Sequence, residues 1–144
     1  MNPSSPILVG LDYSEQSKNA LRAAARMANS RSLPLVCFHV LDKEILKQFK
    51  KMDAETQKGV LDFTHEKVAS FIRDTIGTAH DIKTEVLIGN PFKVTLELLK
   101  THQPNTLVLG SGSYTSHGAY HVGALASRCV RKAPVEVLLI RNYQ

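Results

Sequence analysis

Short apolar runs alternate along the chain with longer segments in which apolar residues recur at helical spacing. The runs cover residues 7–11, 35–41, 82–88, 106–109 and 135–140. Runs of this length with helical segments between them are typical of strands joined by helical crossovers. The pattern therefore predicts an α/β fold: a five-stranded, mostly parallel sheet with helices on both faces.

The first and third predicted helices begin with clear capping signals. Ser14 follows the first strand as an N-cap, and a helical face follows it. That face is formed by Leu21, Ala24, Ala25 and Ala28. Asn90 is expected to cap the third helix, with Pro91 in its first turn.

The other two helices are less uniform in pattern. A helix is predicted over residues 56–76, preceded by a looser segment, because one helix over all of 43–76 would be unusually long. A last helical face is predicted before the stop at Lys132-Ala-Pro134. Its members are Val122, Leu125, Ala126, Cys129 and Val130.

Two strands carry features of sheet edges. Residues 82–88 alternate in a way that leaves one face less buried, as suits an edge strand. Residues 135–140, from Val135 to Ile140, form a long apolar C-terminal strand, and an exposed edge of that kind invites pairing with another chain. The alternative is an edge covered by the tail after Ile140.

Composition fits one ordinary domain spanning residues 1–144. The chain is 43% hydrophobic and 22% charged, which is usual for a globular protein. Cys37 and Cys129 lie in apolar segments and are interpreted as small core residues. Neither an apolar run of about 20 residues nor a signal peptide is found, so we expect a cytoplasmic protein without a membrane span.

The net charge of +5 does not indicate a nucleic-acid partner. Basic residues are mixed with acidic ones along the chain. The densest cluster, at residues 43–51, is interpreted as a solvated helix face, and no nucleic-acid motif accompanies it.

The strongest candidate for ligand binding is a glycine–serine loop near the C-terminus. The strand at Leu107 runs into Gly-Ser-Gly-Ser113, and a helix is expected to begin near Gly123. Backbone N–H groups in such turns and at helix N-termini bind anions such as phosphate. In open parallel sheets, ligands bind outside the carboxyl ends of the strands where the strand order reverses, so the loops after strand one, at Asp12, and after strand four, at Gly110, are expected to converge.

Five segments together resemble the universal stress protein family. They are Ile7-Leu-Val-Gly-Leu-Asp-Tyr-Ser14, His39-Val-Leu-Asp42, Gly89-Asn-Pro91, Leu107-Val-Leu-Gly-Ser111 and the closing block from Val122 to Leu139. The resemblance covers nearly the whole chain in the right order. It implies a Rossmann-like fold of the adenine nucleotide alpha hydrolase type, in agreement with the pattern above.

Many members of that family bind ATP through a spaced glycine pattern that is partly changed here. The pattern is Gly, two residues, Gly, nine residues, then Gly followed by Ser or Thr. Gly110 and Gly123 match its first and third glycines. The second glycine falls on Ser113, with Gly112 one position early, and the hydroxyl position falls on Ala124.

The resemblance implies ATP or AMP as the ligand, with or without Mg²⁺. Asp12 would face the adenosine end, and the base would lie against an apolar wall that is slightly emptier at Gly10, where relatives often carry Pro or Ala. The residues implied in nucleotide binding are Gly10, Leu11, Asp12, Val40, Leu109, Gly110, Ser111, Gly112, Ser113, Gly123, Ala124, Leu125 and Ala126. The alternative is that the glycines serve only the strand–helix turn.

Other chemistry-bearing residues form no convincing set. His117 and His121 have the spacing of two metal ligands but lack a third, so no metal site is predicted. His39 is interpreted as a core-edge histidine. The serines of residues 111–116 lack a nucleophile elbow, so no catalytic residue is named.

Three functions remain open. In the first, the chain is a homodimeric universal stress protein that binds adenine nucleotide and acts as a sensor or regulator, with at most slow hydrolysis. In the second, it is a dimeric interaction module that no longer binds nucleotide. The third, a dedicated ATP-using enzyme, lacks a visible catalytic set. The resemblance implies that the dimer forms through the strand from Val135 to Ile140.

Overall fold

The computed structural model describes residues 5–78, 81–114, 120–121 and 123–141. The main sheet contains β1 (Ile7–Gly10), β2 (Leu35–Leu41), β3 (Ile82–Ile88), β4 (Thr106–Ser111) and β7 (Glu136–Arg141). The helices are α1 (Glu15–Arg31), α2 (Lys43–Lys50), α3 (Ala54–Ile76), α4 (Pro91–His102) and α5 (Ala124–Lys132). A small antiparallel pair, β5 (Ser113–Tyr114) and β6 (Tyr120–His121), lies between β4 and α5.

The main sheet is entirely parallel, in the order β3-β2-β1-β4-β7. Ile7 of β1 lies opposite Leu35 on one side and Thr106 on the other. The predicted five-stranded parallel fold is therefore confirmed. The edge position predicted for residues 82–88 is confirmed, because β3 ends the sheet on one side. The C-terminal strand, β7, ends it on the other side.

Two hydrophobic cores lie on opposite faces of the sheet, because successive side chains of a strand point to opposite sides. Ile7 and Val9 of β1 pack in the core that contains α1 and α3 residues. Leu8, between them, packs in the other core with α4 residues and Cys129 of α5. Cys37 and Cys129 are buried and unbridged in separate cores, as the prediction of small core residues requires.

The predicted helix caps are present. The Ser17 backbone N–H donates to Ser14 Oγ at 3.1 Å, so Ser14 caps α1. The Lys93 N–H donates to Asn90 Oδ1 at 3.1 Å, with Pro91 in the first turn of α4. Each cap supplies an acceptor to an N–H that has no partner inside the helix.

The prediction of a looser segment before the second helix was wrong. Residues 43–50 form α2, because the Asp42 carboxylate accepts from the N–H groups of Glu44 (3.0 Å) and Ile45 (3.3 Å). Asp53 then caps α3 separately. No residue of α2 is buried, so the basic cluster does lie on a solvated helix.

The last helix begins where it was predicted, with Gly123 as its N-cap and Ala124 as its first residue. Val122, which was placed on its apolar face, lies outside the described residues. Val130 is 54% exposed and does not belong to the buried face. Among the described helices, none is both long enough and apolar enough to cross a membrane.

Candidate functional site

A cavity of about 620 Å³ opens between β1 and β4 at the carboxyl edge of the sheet. The other neighbour of β1 is β2 and that of β4 is β7, so the strand order reverses here. This is the topological switch point, the usual ligand position in open parallel sheets. Its lining comes from the ends of β1, β2 and β4 and the first turns of α1, α4 and α5.

Eleven of the thirteen predicted binding residues line this cavity. They are Gly10, Leu11, Asp12, Val40, Leu109, Gly110, Gly112, Gly123, Ala124, Leu125 and Ala126. Ser111 does not line it and is only 1% exposed. The side chain of Ser113 lies outside the described part of the chain.

Six further lining residues were missed: Ser14, Gln16, Ser17, Phe38, His39 and Pro91. Ser14, Gln16 and Ser17 follow β1 directly, and Pro91 starts α4, so all four lie at the carboxyl edge that the strand pattern already defined. The reasoning that placed Asp12 at this edge would have found them. Phe38 and His39 precede Val40 on β2, and nothing in the sequence distinguishes their side chains as cavity-facing.

Two glycines of the loop, and the glycine at the N-terminus of α5, occupy their positions for different structural reasons. A Cβ on Gly110 would lie 2.5 Å from the carbonyl carbon of Gln16, so this glycine allows α1 to contact β4. Gly112 has φ +51°, the left-handed region that glycine adopts without strain. A Cβ on Gly123 would have the Gly112 nitrogen, at 3.9 Å, as its nearest heavy atom among the described residues beyond its chain neighbours.

The N-terminus of α5 opens into the cavity without a side-chain cap. Gly123 is the N-cap residue and offers no side-chain acceptor to the first-turn N–H groups. Ala124, at the position where relatives carry a hydroxyl, contributes only its backbone N–H. Unsatisfied N–H groups and the positive end of the helix dipole make this terminus attractive to an anion.

The apolar wall at Gly10 is not emptier, contrary to expectation. A Cβ on Gly10 would lie 3.0 Å from both Phe38 Cζ and Leu109 Cδ2. The Phe38 ring and the Leu109 side chain therefore occupy the space that Pro or Ala would take. The wall is therefore closely packed at Gly10, and a Cβ there would require Phe38 and Leu109 to shift slightly.

Asp12 lies at the mouth of the cavity and is exposed. Its Oδ1 accepts from the Ser14 N–H at 3.0 Å and from the Ser14 hydroxyl. Both hydrogen bonds from described residues go to Oδ1, which leaves Oδ2 available to a ligand hydroxyl. Among the described lining residues, Asp12 is the only Asp, Glu, Lys or Arg.

His39 lines the cavity and is held by local contacts, as predicted for a core-edge histidine. Its Nδ1 is 2.7 Å from the Leu11 carbonyl oxygen, which accepts the hydrogen bond when Nδ1 is protonated. Its ring packs against that of Tyr13, with centroids 4.7 Å apart. Burial raises the pKa of the Tyr13 phenol. Both contacts hold His39 in the wall rather than free in the cavity.

No metal centre is apparent in the part of the chain that the structure describes, since no three His, Cys, Asp or Glu side chains converge there. His117 and the side chain of His121 lie outside that part, so the pair noted in the sequence is not described.

Comparison with known proteins relates the whole chain to one family. The model of the universal stress protein family matches residues 4–141. A Staphylococcus aureus (strain USA300) protein named as a universal stress protein is 24% identical over 141 residues, covering 96% of this chain and 84% of that protein.

Solved structures show the same fold. Universal stress protein UspA from Lactobacillus plantarum superposes with a TM-score of 0.68 at 23% identity, covering 96% of this chain and 98% of that one. The Archaeoglobus fulgidus universal stress protein in complex with dAMP has a TM-score of 0.64 at 21% identity, with 94% and 96% covered.

Proposed function

The chain belongs to the universal stress protein family, and we propose that it binds an adenine nucleotide, ATP or AMP, in the cavity between β1 and β4. The observation that carries the proposal is the convergence of that cavity with two groups of backbone donors. The loop at Gly110 to Gly112 and the uncapped N-terminus of α5 both line it. Nucleotides bind at this position in open parallel sheets, and the A. fulgidus relative holds dAMP.

The adenosine would occupy the apolar part of the cavity. Leu11, Val40 and Leu109 supply a wall on which a base can pack. Asp12 stands beside this wall with Oδ2 available, and a carboxylate oxygen accepts hydrogen bonds from ribose hydroxyls. The base and the sugar would thus be recognised by different residues of neighbouring strands.

The phosphates would lie against the glycine loop and the first turn of α5. No lysine or arginine is among the described residues lining the cavity. Backbone N–H groups and the helix dipole would therefore stabilise the negative charge of the phosphates. Ala124 supplies an N–H without the hydroxyl found in relatives. Mg²⁺ would enter with the phosphates, because it prefers phosphate oxygens and water to protein cages.

A sensing or regulatory role fits this site better than catalysis. Asp12 is the one carboxylate among the described lining residues, and in the proposed complex it would lie at the sugar rather than at the phosphates. Hydrolysis by positioned water would therefore be slow at most. Nucleotide occupancy would instead set the conformation that a partner recognises.

We also propose a homodimer formed through β7. This strand ends the sheet, so one side of its backbone has no partner strand in the described chain. Its side chains already pack in the two cores, Val137 and Leu139 on one face and Leu138 and Ile140 on the other. Backbone pairing with a second copy would use the remaining surface without disturbing that packing.

The same free edge favours a second candidate function, a dimeric module that acts without nucleotide. Isothermal titration with ATP–Mg²⁺ and with AMP separates the two functions. Mass spectrometry of small molecules released from denatured protein gives an independent reading. Co-purified nucleotide or micromolar affinity supports the first function, whereas empty protein with no heat of binding favours the second.

A further inference from the structure

The side chain of Gln16 connects the first turn of α1 to the glycine loop. Its Nε2 donates to the Gly112 carbonyl oxygen at 2.5 Å, across 96 positions of sequence. The bond is partly buried, and both residues line the cavity. Neither the glycine pattern nor any capping signal singles out Gln16.

The close contact between Gly110 and the Gln16 backbone fixes the position from which the Gln16 side chain extends. Gly110 has no Cβ, and the Gln16 carbonyl group fills the space where that atom would lie. The backbone of α1 is thereby seated directly on the end of β4. From that seat the glutamine side chain reaches two residues further along, to Gly112.

The bond restrains a backbone that is otherwise free to turn. Gly112 has φ +51°, and a glycine here can adopt several other conformations at little cost. In a trans peptide, the carbonyl of Gly112 and the N–H of residue 113 point in opposite directions. A donor that holds the carbonyl therefore also fixes the direction of the next N–H.

The restrained loop faces the N-terminus of α5. The Gly112 nitrogen is 3.9 Å from the position a Cβ would take on Gly123, the N-cap of α5. The loop and the helix terminus therefore lie next to each other, and in the proposed site their backbone N–H groups would form one set of phosphate donors. A Gly112 carbonyl turned into this set would place a negative partial charge where phosphate should bind.

We infer that Gln16 is a positioning residue that holds the Gly112 carbonyl out of the phosphate region. The inference rests on the proposed nucleotide function. Gln16 acts on the loop and not on the adenosine wall formed by Leu11, Val40 and Leu109. Its loss should weaken binding of the phosphates while leaving binding of the nucleoside unchanged.

The test compares ATP with adenosine in Gln16→Met, which keeps the length of the side chain and removes its donor. Gln48→Met, on the exposed surface of α2, is the matched control. We expect Gln16→Met to bind ATP about fivefold to tenfold more weakly, the cost of one hydrogen bond. Adenosine affinity should stay within about twofold of the wild type, as should both affinities of the control.

Hydrogen exchange without ligand supplies a second readout. We expect the amides of residues 112 and 113 to exchange faster in Gln16→Met, with the strands of the main sheet unchanged. Equal loss of ATP and adenosine affinity, or unchanged exchange in the loop, would overturn the positioning role. Wild-type protein that binds neither ligand would overturn the proposed function itself, whatever the exchange data show.

Discussion

Gly110 and Gln16 touch through their backbones, with no room for a side chain between β4 and α1. A Cβ on Gly110 would lie 2.5 Å from the Gln16 carbonyl carbon and 2.7 Å from its oxygen. Real Cβ atoms do not approach backbone this closely. The first glycine of the loop is therefore required by the fold, whether or not a nucleotide binds.

Gly110→Ala should destabilise the protein. The methyl group meets backbone atoms that cannot rotate away, so α1 must shift from β4. We expect a loss of at least about 2 kcal/mol in the free energy of unfolding, measured by urea denaturation. A loss below about 0.5 kcal/mol would show that α1 is not seated as described.

Gly59→Ala is the control for that substitution. Gly59 lies inside α3, and a Cβ there would meet nothing within 4 Å. Since alanine favours a helix more than glycine does, the free energy of unfolding of this variant should rise by about 0.5 to 1 kcal/mol. Opposite signs at the two glycines separate the effect of packing from the effect of residue type.

Gly123→Val tests the proposed phosphate site rather than the fold. The nearest described heavy atom to a Cβ at this position is the Gly112 nitrogen, at an ordinary contact distance of 3.9 Å, so a Cβ fits here, between the loop and the N-terminus of α5. We expect the free energy of unfolding to change by less than about 1 kcal/mol and ATP affinity to fall at least tenfold, measured by calorimetry. Unchanged ATP affinity in a folded variant would exclude these donors as the phosphate site.

The sheet could be predicted from sequence because its signals are local and repeated. Each buried strand is a short apolar run, and Ser14 and Asn90 mark helix starts with side chains that accept hydrogen bonds. The prediction at α2 was wrong because one such local signal was overlooked. Asp42 directly follows the predicted strand at residues 35–41, and its side chain was not recognised as a cap for the residues after it.

The cavity could be predicted in outline but not in its contacts. The rule for carboxyl edges and the family pattern together located eleven lining residues. The hydrogen bond from Gln16 to Gly112 joins residues 96 positions apart, and a single sequence carries no signal for it. The filled wall at Gly10 likewise depends on how Phe38 and Leu109 pack, which spacing along the chain does not determine.

Glu85 should make stability depend on pH in the acid range. Burial opposes ionisation of this carboxyl, but hydrogen bonds from His102 (3.1 Å) and Lys83 (3.2 Å) outweigh it and hold its pKa below the ordinary 4.5. Because its pKa is lower in the folded state, this carboxyl contributes stability that is fully present above pH 4.5. That contribution is lost as the pH falls through the pKa of the folded state.

The variant Glu85→Gln should therefore be less stable than the wild type above about pH 5, and the difference should shrink on acidification. Urea denaturation across pH 3 to 7 measures it, with Glu97→Gln on the exposed surface of α4 as the control. A difference that stays constant over this range would mean that the carboxylate charge is not what joins β3 to α4.

Dimerisation through β7 predicts protection of one strand edge and not of the other. In a parallel sheet, alternate residues of an edge strand point their N–H groups away from the neighbouring strand, so those of β7 should be protected only when a second copy pairs with them. We therefore expect alternate β7 amides to exchange more slowly at high protein concentration, where more of the chain is dimeric, than at low concentration. The amides of β3, the opposite edge, serve as the internal control and should not change. Sedimentation over the same concentrations gives the mass, and a dimer whose β7 amides remain unprotected would place the interface elsewhere.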